Sequence, residues 1–334
     1  MRRRDALRLL GFGATALAAA GCDALPASEV QQSKAPRRDF RHVRVCYTPA
    51  YVGSAHAFET TRKARWVADS LAADPIGGIE LVANAALTAE ELQRVHDRDY
   101  VAAVRTGEPR SLSESQGFAW DPELWPMVRA SNGGVVAAAE TALADGVAGA
   151  LSSGLHHARR DHGSGFCTFN GLAIAALRAL DQGVKRILII DLDAHCGGGT
   201  HSLVAEHPGI HQLDVAVDEF DRYEPTGANT FDLVGNAALY IPTIERRLGE
   251  LANERFDLCL YNAGMDPHEG CRVGGLSGIN HQMLARREDL VFAWCRKQKL
   301  PVAFVLAGGY IGPGLDQDGL VALHRLTLTA ASSR

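Results

Sequence analysis

Four polar clusters in this sequence hold residue types that bind metals, move protons or stabilise an oxyanion, and each follows an apolar run. Asp191-Leu192-Asp193-Ala194-His195 sets two metal-capable side chains, Asp193 and His195, at i and i+2. On an extended chain these point the same way. A D-x-H triplet alone is ordinary surface chemistry. Preceded by an apolar run, joined by Asp191 and matched by Asp266 after another such run, it reads as an Asp-His-Asp site of Asp193, His195 and Asp266. Three protein ligands with a fourth position open describe a catalytic zinc rather than a structural one. Two carboxylates leave Fe(II) or Mn(II) open as well, because oxygen is a harder ligand.

His156-His157 alone would be a solvated loop pair. Beside a metal they become candidates for general base and acid, since imidazole titrates close to neutrality. Tyr310 alone would be a packed aromatic. The Gly308-Gly309 pair before it would let its hydroxyl reach a substrate carbonyl.

These clusters need elements to carry them. Strands are predicted at His42–Tyr47, Ile79–Val82, Val147–Leu151, Arg186–Leu192, Gly209–Val215, Asp257–Tyr261 and Pro301–Leu306. Amphipathic helical patterns at Glu59–Ala72, Glu123–Leu143, Gly171–Gln182, Ile241–Glu254 and Asn280–Gln298 lie between them. Several strands are apolar throughout, as when helices cover both faces of a sheet. Alternating βα units predict an α/β fold: one domain over 42–334 with an open, mostly parallel sheet and helices on both faces. In such sheets ligands bind beyond the carboxyl ends of the strands, where the clusters sit.

The 334 residues are 46% hydrophobic and 22% charged, with a net charge of −5, which gives no footing for nucleic-acid binding. Residues 1–22 read as an export signal. Arg2, Arg3, Arg4 and Arg8 precede an uncharged 12-residue run, Leu9–Ala20, too short to span roughly 30 Å of hydrocarbon. Arg3-Arg4-Asp5-Ala6-Leu7-Arg8 resembles a twin-arginine signal, and Ala19-Ala20-Gly21-Cys22 a lipobox with Cys22 as the lipidated residue. That predicts an exported lipoprotein on the periplasmic side of a bacterial membrane, attached through a lipid anchor only. Polar residues 23–41 would be its tether. Six cysteines remain after Cys22, none in C-x-x-C spacing, and mostly free buried thiols are expected.

Taken together, GLHHARRDHGSGFCTFN, DLDAHCGGGT, NAGMDPHEGCRVGGLS and LAGGY resemble the motifs of the histone deacetylase family, in that family's order. FETTRKARWVADSL and LTAEELQRVHDRDYV resemble its N-terminal region, and the stretch from Tyr261 to Phe292 its class IV branch. The resemblance covers about residues 42–330. It implies an arginase/deacetylase-type domain that removes an acyl group, acetyl or longer, from an amine such as acyl-lysine or acyl-polyamine.

By that resemblance Asp193, His195 and Asp266 hold Zn2+, with Fe2+ as the variant. His157 would take a proton from the attacking water and hand it to the leaving amine. His156, held by Asp191, would give electrostatic support, and Tyr310 would stabilise the oxyanion. Asp191, with the backbone carbonyls of Asp193 and His195, would hold a monovalent cation (K+). Phe166 would line the acyl channel and Gly154 would sit at its end.

The sequence departs from the family at one place. Many members carry an aspartate, or in class IV an amide, after the metal-binding histidine, where it orients the second histidine of the pair. The matching residue here is Gly198, within Cys196-Gly197-Gly198-Gly199. His162 or Asp161 are the neighbours expected to take over. An arginase-like binuclear site would need D-A-H-x-D and S-x-D-x-D patterns, which are absent. The rival of another class is a metal-binding or acyl-lysine-binding lipoprotein that has lost catalysis through Gly198.

Overall fold

The computed structural model describes residues 42–54 and 59–333. Cys22, the export signal at 1–22 and the tether at 23–41 lie outside the described residues.

Eight strands are present among the described residues: β1 Val43–Cys46, β2 Ile79–Val82, β3 Val147–Ala150, β4 Ile187–Asp191, β5 Ile210–Ala216, β6 Thr230–Leu233, β7 Leu258–Gly264 and β8 Val302–Ala307. They form one sheet in the order β2-β1-β3-β8-β7-β4-β5-β6, and every pairing is parallel. Ten α-helices connect them: α1 Glu59–Ala73, α2 Ala89–Leu92, α3 Arg98–Thr106, α4 Arg110–Ser113, α5 Leu124–Asp145, α6 Gly171–Asp181, α7 Gly198–Val204, α8 Ala237–Glu250, α9 His281–Gln298 and α10 Gln317–Ser332. The expected α/β architecture is therefore present. Among the described residues no helix is long and apolar enough to cross a membrane.

The period of two along each strand divides the core. On β4, Leu188 and Ile190 join the side chains of α1, α8, α9 and α10, while Ile187 and Ile189 join those of α5 and α6. Burial on both faces is what makes ILIID, LCLYNAG and VAFVLA nearly continuous apolar runs. Helix starts follow local chemistry: Asn170, Asn280 and Asp316 each accept a backbone N–H of the first turn of α6, α9 and α10.

The four strands that precede the polar clusters, β3, β8, β7 and β4, are contiguous in the middle of the sheet. Because all strands run one way, their carboxyl ends share one edge, and residues far apart in sequence meet there.

Helices α2, α3, α4, α7 and α10 and strand β6 fall outside the patterns picked out in the sequence, and for two of them the reason is local. β6 is a four-residue edge strand, TFDL, partly exposed throughout and without clean alternation. α7 begins on glycines, which disfavour helix.

Candidate active site

Strand register builds the floor of the site. Asp191, the last residue of β4, pairs with Asp214 on β5 and Asn262 on β7, so three polar side chains cross the sheet in one row. Both oxygens of the Asp191 carboxylate are engaged: Oδ2 lies 2.8 Å from His156 Nδ1, and Oδ1 accepts from Asn262 Nδ2 at 2.8 Å and from the Asp193 amide at 3.2 Å. The last bond turns the chain out of β4, and the Ala194 amide then donates to Asp266 Oδ1 at 2.9 Å. Beneath, the buried guanidinium of Arg287 donates to the carbonyls of Leu192 (3.1 Å) and Gly264 (2.6 Å), tying together the two strand ends that carry Asp193 and Asp266.

The ligand atoms of Asp193, His195 and Asp266 all lie within 4.8 Å of one another, and all three residues are buried. His195 Nδ1 is 3.1 Å from Asp193 Oδ1 and 3.2 Å from Asp266 Oδ2. Asp266 Oδ2 is buried without a well-directed hydrogen bond. Burial opposes charge on His195, yet hydrogen bonds to the two carboxylates hold its proton up to about 11. Burial and Asp193 push Asp266 up to about 6. Two buried carboxylates thus call for a positive charge between them, and one imidazole nitrogen with two carboxylate oxygens is a divalent-metal donor set.

His156 and His157 stack at 3.9 Å beside this triad, with His156 Nε2 3.5 Å from Asp193 Oδ1. Their environments drive them apart. Burial opposes charge on His156, but Asp191 and Asp193 outweigh it and hold the ring protonated to about 10. Burial and the positive charge on His156 hold His157 down to about 4, so it is neutral at pH 7. One fixed charge and one neutral ring that can accept a proton are what an electrostatic partner and a base require.

His162 and Asp161 do not serve His157. They pair with each other at 2.7 Å, with both side chains largely exposed. The residue facing His157 Nδ1 is Asp221, at 3.0 Å, carried on the loop between β5 and β6. Nothing in the acid-rich stretch DVAVDEFDRYEP marks Asp221 over Asp218 or Glu219; the one sequence signal is the missing side chain at Gly198.

Tyr310 lies buried with its ring centroid 6.5 Å from that of His195. Burial and the carboxylates of Asp266 and Asp193 push its hydroxyl far above the ordinary range, so it stays a donor. Gly308, in the turn before it, has φ +52, and a Cβ there would lie 2.3 Å from Asp266 Oδ1, so only glycine fits. Lys63, 1% exposed on α1, donates to the Gly308 carbonyl at 2.7 Å and to Ser153 Oγ at 2.9 Å. It sits inside an amphipathic pattern where a lysine reads as a solvated face, and the sequence reading does not single it out.

Asp193, His156, His157, Phe166 and Tyr310 line one cavity. The core side chains Tyr51, Ala64, Met127 and Leu151 bound another part of it. Phe166 stacks on Phe118 at 5.4 Å. Gly154 lies between the lining residues Ser153 and Leu155 and packs against Asn262 and Leu172. Among the described residues four non-glycines have positive φ, and three of them, Leu155 (59°), Phe166 (66°) and Asp221 (61°), surround this cavity or touch His157. Such local strain collects at working sites. The six described cysteines are free and buried.

A histone deacetylase domain model matches residues 56–322. The chain is 34% identical over 247 residues to an uncharacterized protein of Picosynechococcus sp., covering 72% of this chain and 81% of that one. It is 38% identical over 233 residues to a probable deacetylase of Methanothermobacter thermautotrophicus, covering 61% and 66%. In fold it is similar to the crystal structure of the acetylpolyamine aminohydrolase of Burkholderia pseudomallei, with a TM-score of 0.70 at 20% identity over 87% of this chain and 99% of that one.

Proposed function

Because the chain belongs to the histone deacetylase family, we propose that it is a zinc-dependent deacylase, hydrolysing the amide between an acyl group and an amine. The observation that carries this reading is that a buried Asp193/His195/Asp266 triad reaches, through Asp193, a cavity also lined by a charged His156, a neutral His157 and Tyr310.

Asp193, His195 and Asp266 would hold the metal, which when bound supplies a Lewis acid for water and for the scissile carbonyl. His157 presents Nε2 to the cavity, because Nδ1 faces Asp221, and takes a proton there before returning it to the leaving amine. His156, kept charged by Asp191, offsets negative charge as it grows on the carbonyl oxygen. Tyr310 donates its O–H to that oxygen, an interaction typically worth roughly 3–4 kcal/mol.

The substrates of this proposal are acyl-lysines or acyl-polyamines, with acetyl or longer chains, as a class IV type of member. A monovalent cation beside Asp191 belongs to it too, supported by the buried Asp214 carboxylate paired with Asp191 across the sheet and by Gln212 Oε1, a buried acceptor without a hydrogen-bond partner. So does export as a lipoprotein through Cys22, which would turn the enzyme toward acyl-amines outside the cytoplasm. An arginase-like binuclear site would need further carboxylates at the triad, and the metal-capable cluster among the described residues holds only those of Asp193 and Asp266.

The test is amine release from acyl-lysine and acyl-polyamine substrates, acetyl to myristoyl, by protein loaded with zinc or with iron. Release that disappears with chelator and in Asp266→Ala supports the deacylase. One equivalent of metal bound with no release from any substrate supports the non-catalytic binder instead.

A further inference from the structure

We propose that Asp221 is the positioning residue for His157, and that Gly198 is a glycine because this carboxylate arrives from another loop. The inference rests on the deacylase reading for its kinetic arm and on geometry alone for the rest.

The Asp221 carboxylate is held from several sides. Oδ2 faces His157 Nδ1 at 3.0 Å and accepts from the Gly199 amide at 2.9 Å, while the Arg159 guanidinium pairs with Oδ1. The side chain is 6% exposed. The ring of the preceding residue, Phe220, stands edge-on to His157 at 5.0 Å. The backbone of Asp221 itself is left-handed, φ 61°, a conformation that aspartate, asparagine and glycine tolerate. With its Nδ1–H donated to Asp221, His157 is fixed in the tautomer that leaves Nε2 bare toward the cavity. An aspartate that fixes a catalytic imidazole in this way acts on rate and hardly on substrate affinity.

Gly198 explains why this carboxylate comes from position 221. A Cβ at 198 would lie 2.2 Å from the Asp221 carbonyl oxygen and 2.7 Å from its Oδ1. Any side chain at 198 and the present Asp221 loop therefore exclude each other. An acceptor supplied from 198, as the family resemblance expects, and one supplied from 221 are alternative sources of the same hydrogen bond.

The experiment compares zinc-loaded Asp221→Ala, Asp221→Asn, Gly198→Ala and the exchange variant Gly198→Asp/Asp221→Gly with the parent. Asp221→Ala is expected to lower kcat on the order of 10²-fold with KM within about twofold, and Asp221→Asn at least as much, since its NH2 can face Nδ1 and impose the wrong tautomer. Gly198→Ala removes no polar group, yet should match Asp221→Ala. The exchange variant should recover about tenfold or more of the loss. 15N NMR of labelled histidine gives a readout without turnover: the Nδ1–H tautomer of His157 in the parent, and a tautomer mixture in Asp221→Ala. An unchanged tautomer, a kcat within about threefold of the parent, or a loss confined to KM would overturn the assignment. An exchange variant no better than Asp221→Ala would overturn the link to Gly198. A parent with no turnover would sink the deacylase reading and leave the NMR arm to decide Asp221.

Discussion

Lys63 Nζ and the carbonyl oxygen of Gly308 are joined at 2.7 Å across 245 residues of chain, so α1 holds the turn that carries Tyr310. Burial lowers the Lys63 ammonium from 10.5 to about 8, against the pull of Asp266 and Asp193. Between these values the unfolded metal-free chain binds more protons than the folded one, so this group adds stability as pH rises from 8 to 10.5. Relative to Lys63→Met, the parent should gain up to about 3 kcal/mol over that range. Urea midpoints at pH 7.5 and pH 10 measure it; a constant difference between the two proteins would count against the buried charge.

Tyr310→Phe removes only the hydroxyl. Its loss is expected to lower kcat by roughly 10²–10³ and leave KM little changed, since the bond to the oxyanion forms only as the carbonyl becomes tetrahedral. Because the phenol titrates far above its ordinary range, no limb from it should enter the pH–rate profile below pH 10. Equal losses in binding and rate would place Tyr310 in substrate packing instead.

Metal binding should appear as stability. Zinc at about a hundred times its Kd adds roughly 2.7 kcal/mol to a protein that binds it only when folded, a rise of several degrees in Tm. Asp266→Ala should lose that rise, whereas Asp191→Asn, which touches no metal through its side chain here, should keep most of it. Calorimetry with and without zinc decides, and a zinc-induced rise in Asp266→Ala as large as the parent's would remove Asp266 from the ligand set.

His96 sets an acid limit far from the metal triad in sequence. Its Nδ1 lies 2.8 Å from the Arg159 carbonyl and its Nε2 accepts from the Asn170 amide at 3.0 Å, which fixes the neutral ring. Burial lowers it to about 4 against 6.5 in the unfolded chain. The folded state then binds fewer protons between those values, so stability present above pH 6.5 is lost as pH falls toward 4, with about 2 kcal/mol gone by pH 5. His96→Gln, which keeps a donor and an acceptor, should flatten that loss in thermal melts from pH 7 to pH 5.

The strand ends were legible because each central strand is apolar to its last turn and the chemistry follows at once. Asp193, His195 and Asp266 stood out by type and by that position, whereas His156, His157 and Tyr310 became candidates only through that metal set and the family resemblance. Asp221 and Lys63 did not, for the same physical reason: each is a charged residue in a charged neighbourhood, brought to the site by packing against a distant segment. For Lys63 that segment is the Gly308 turn, and for Asp221 it is the glycine run that opens α7. His96 likewise sits in a polar turn between α2 and α3, and its ring nitrogens meet the distant backbone of Arg159 and Asn170. β6 was hidden by its edge position, where one pairing suffices and no apolar run is required.

The six free thiols have a use of their own. Cys46, Cys167, Cys196, Cys259, Cys271 and Cys295 are spread over both halves of the sheet and the site, and every one is shielded from solvent. An alkylating reagent can reach them only when the surrounding segment opens, so the order in which they are labelled is a map of local unfolding. The protein thereby carries six built-in clocks, one beside His195 at Cys196 and one against the Tyr310 turn at Cys271, that time the breathing of the site without an added probe.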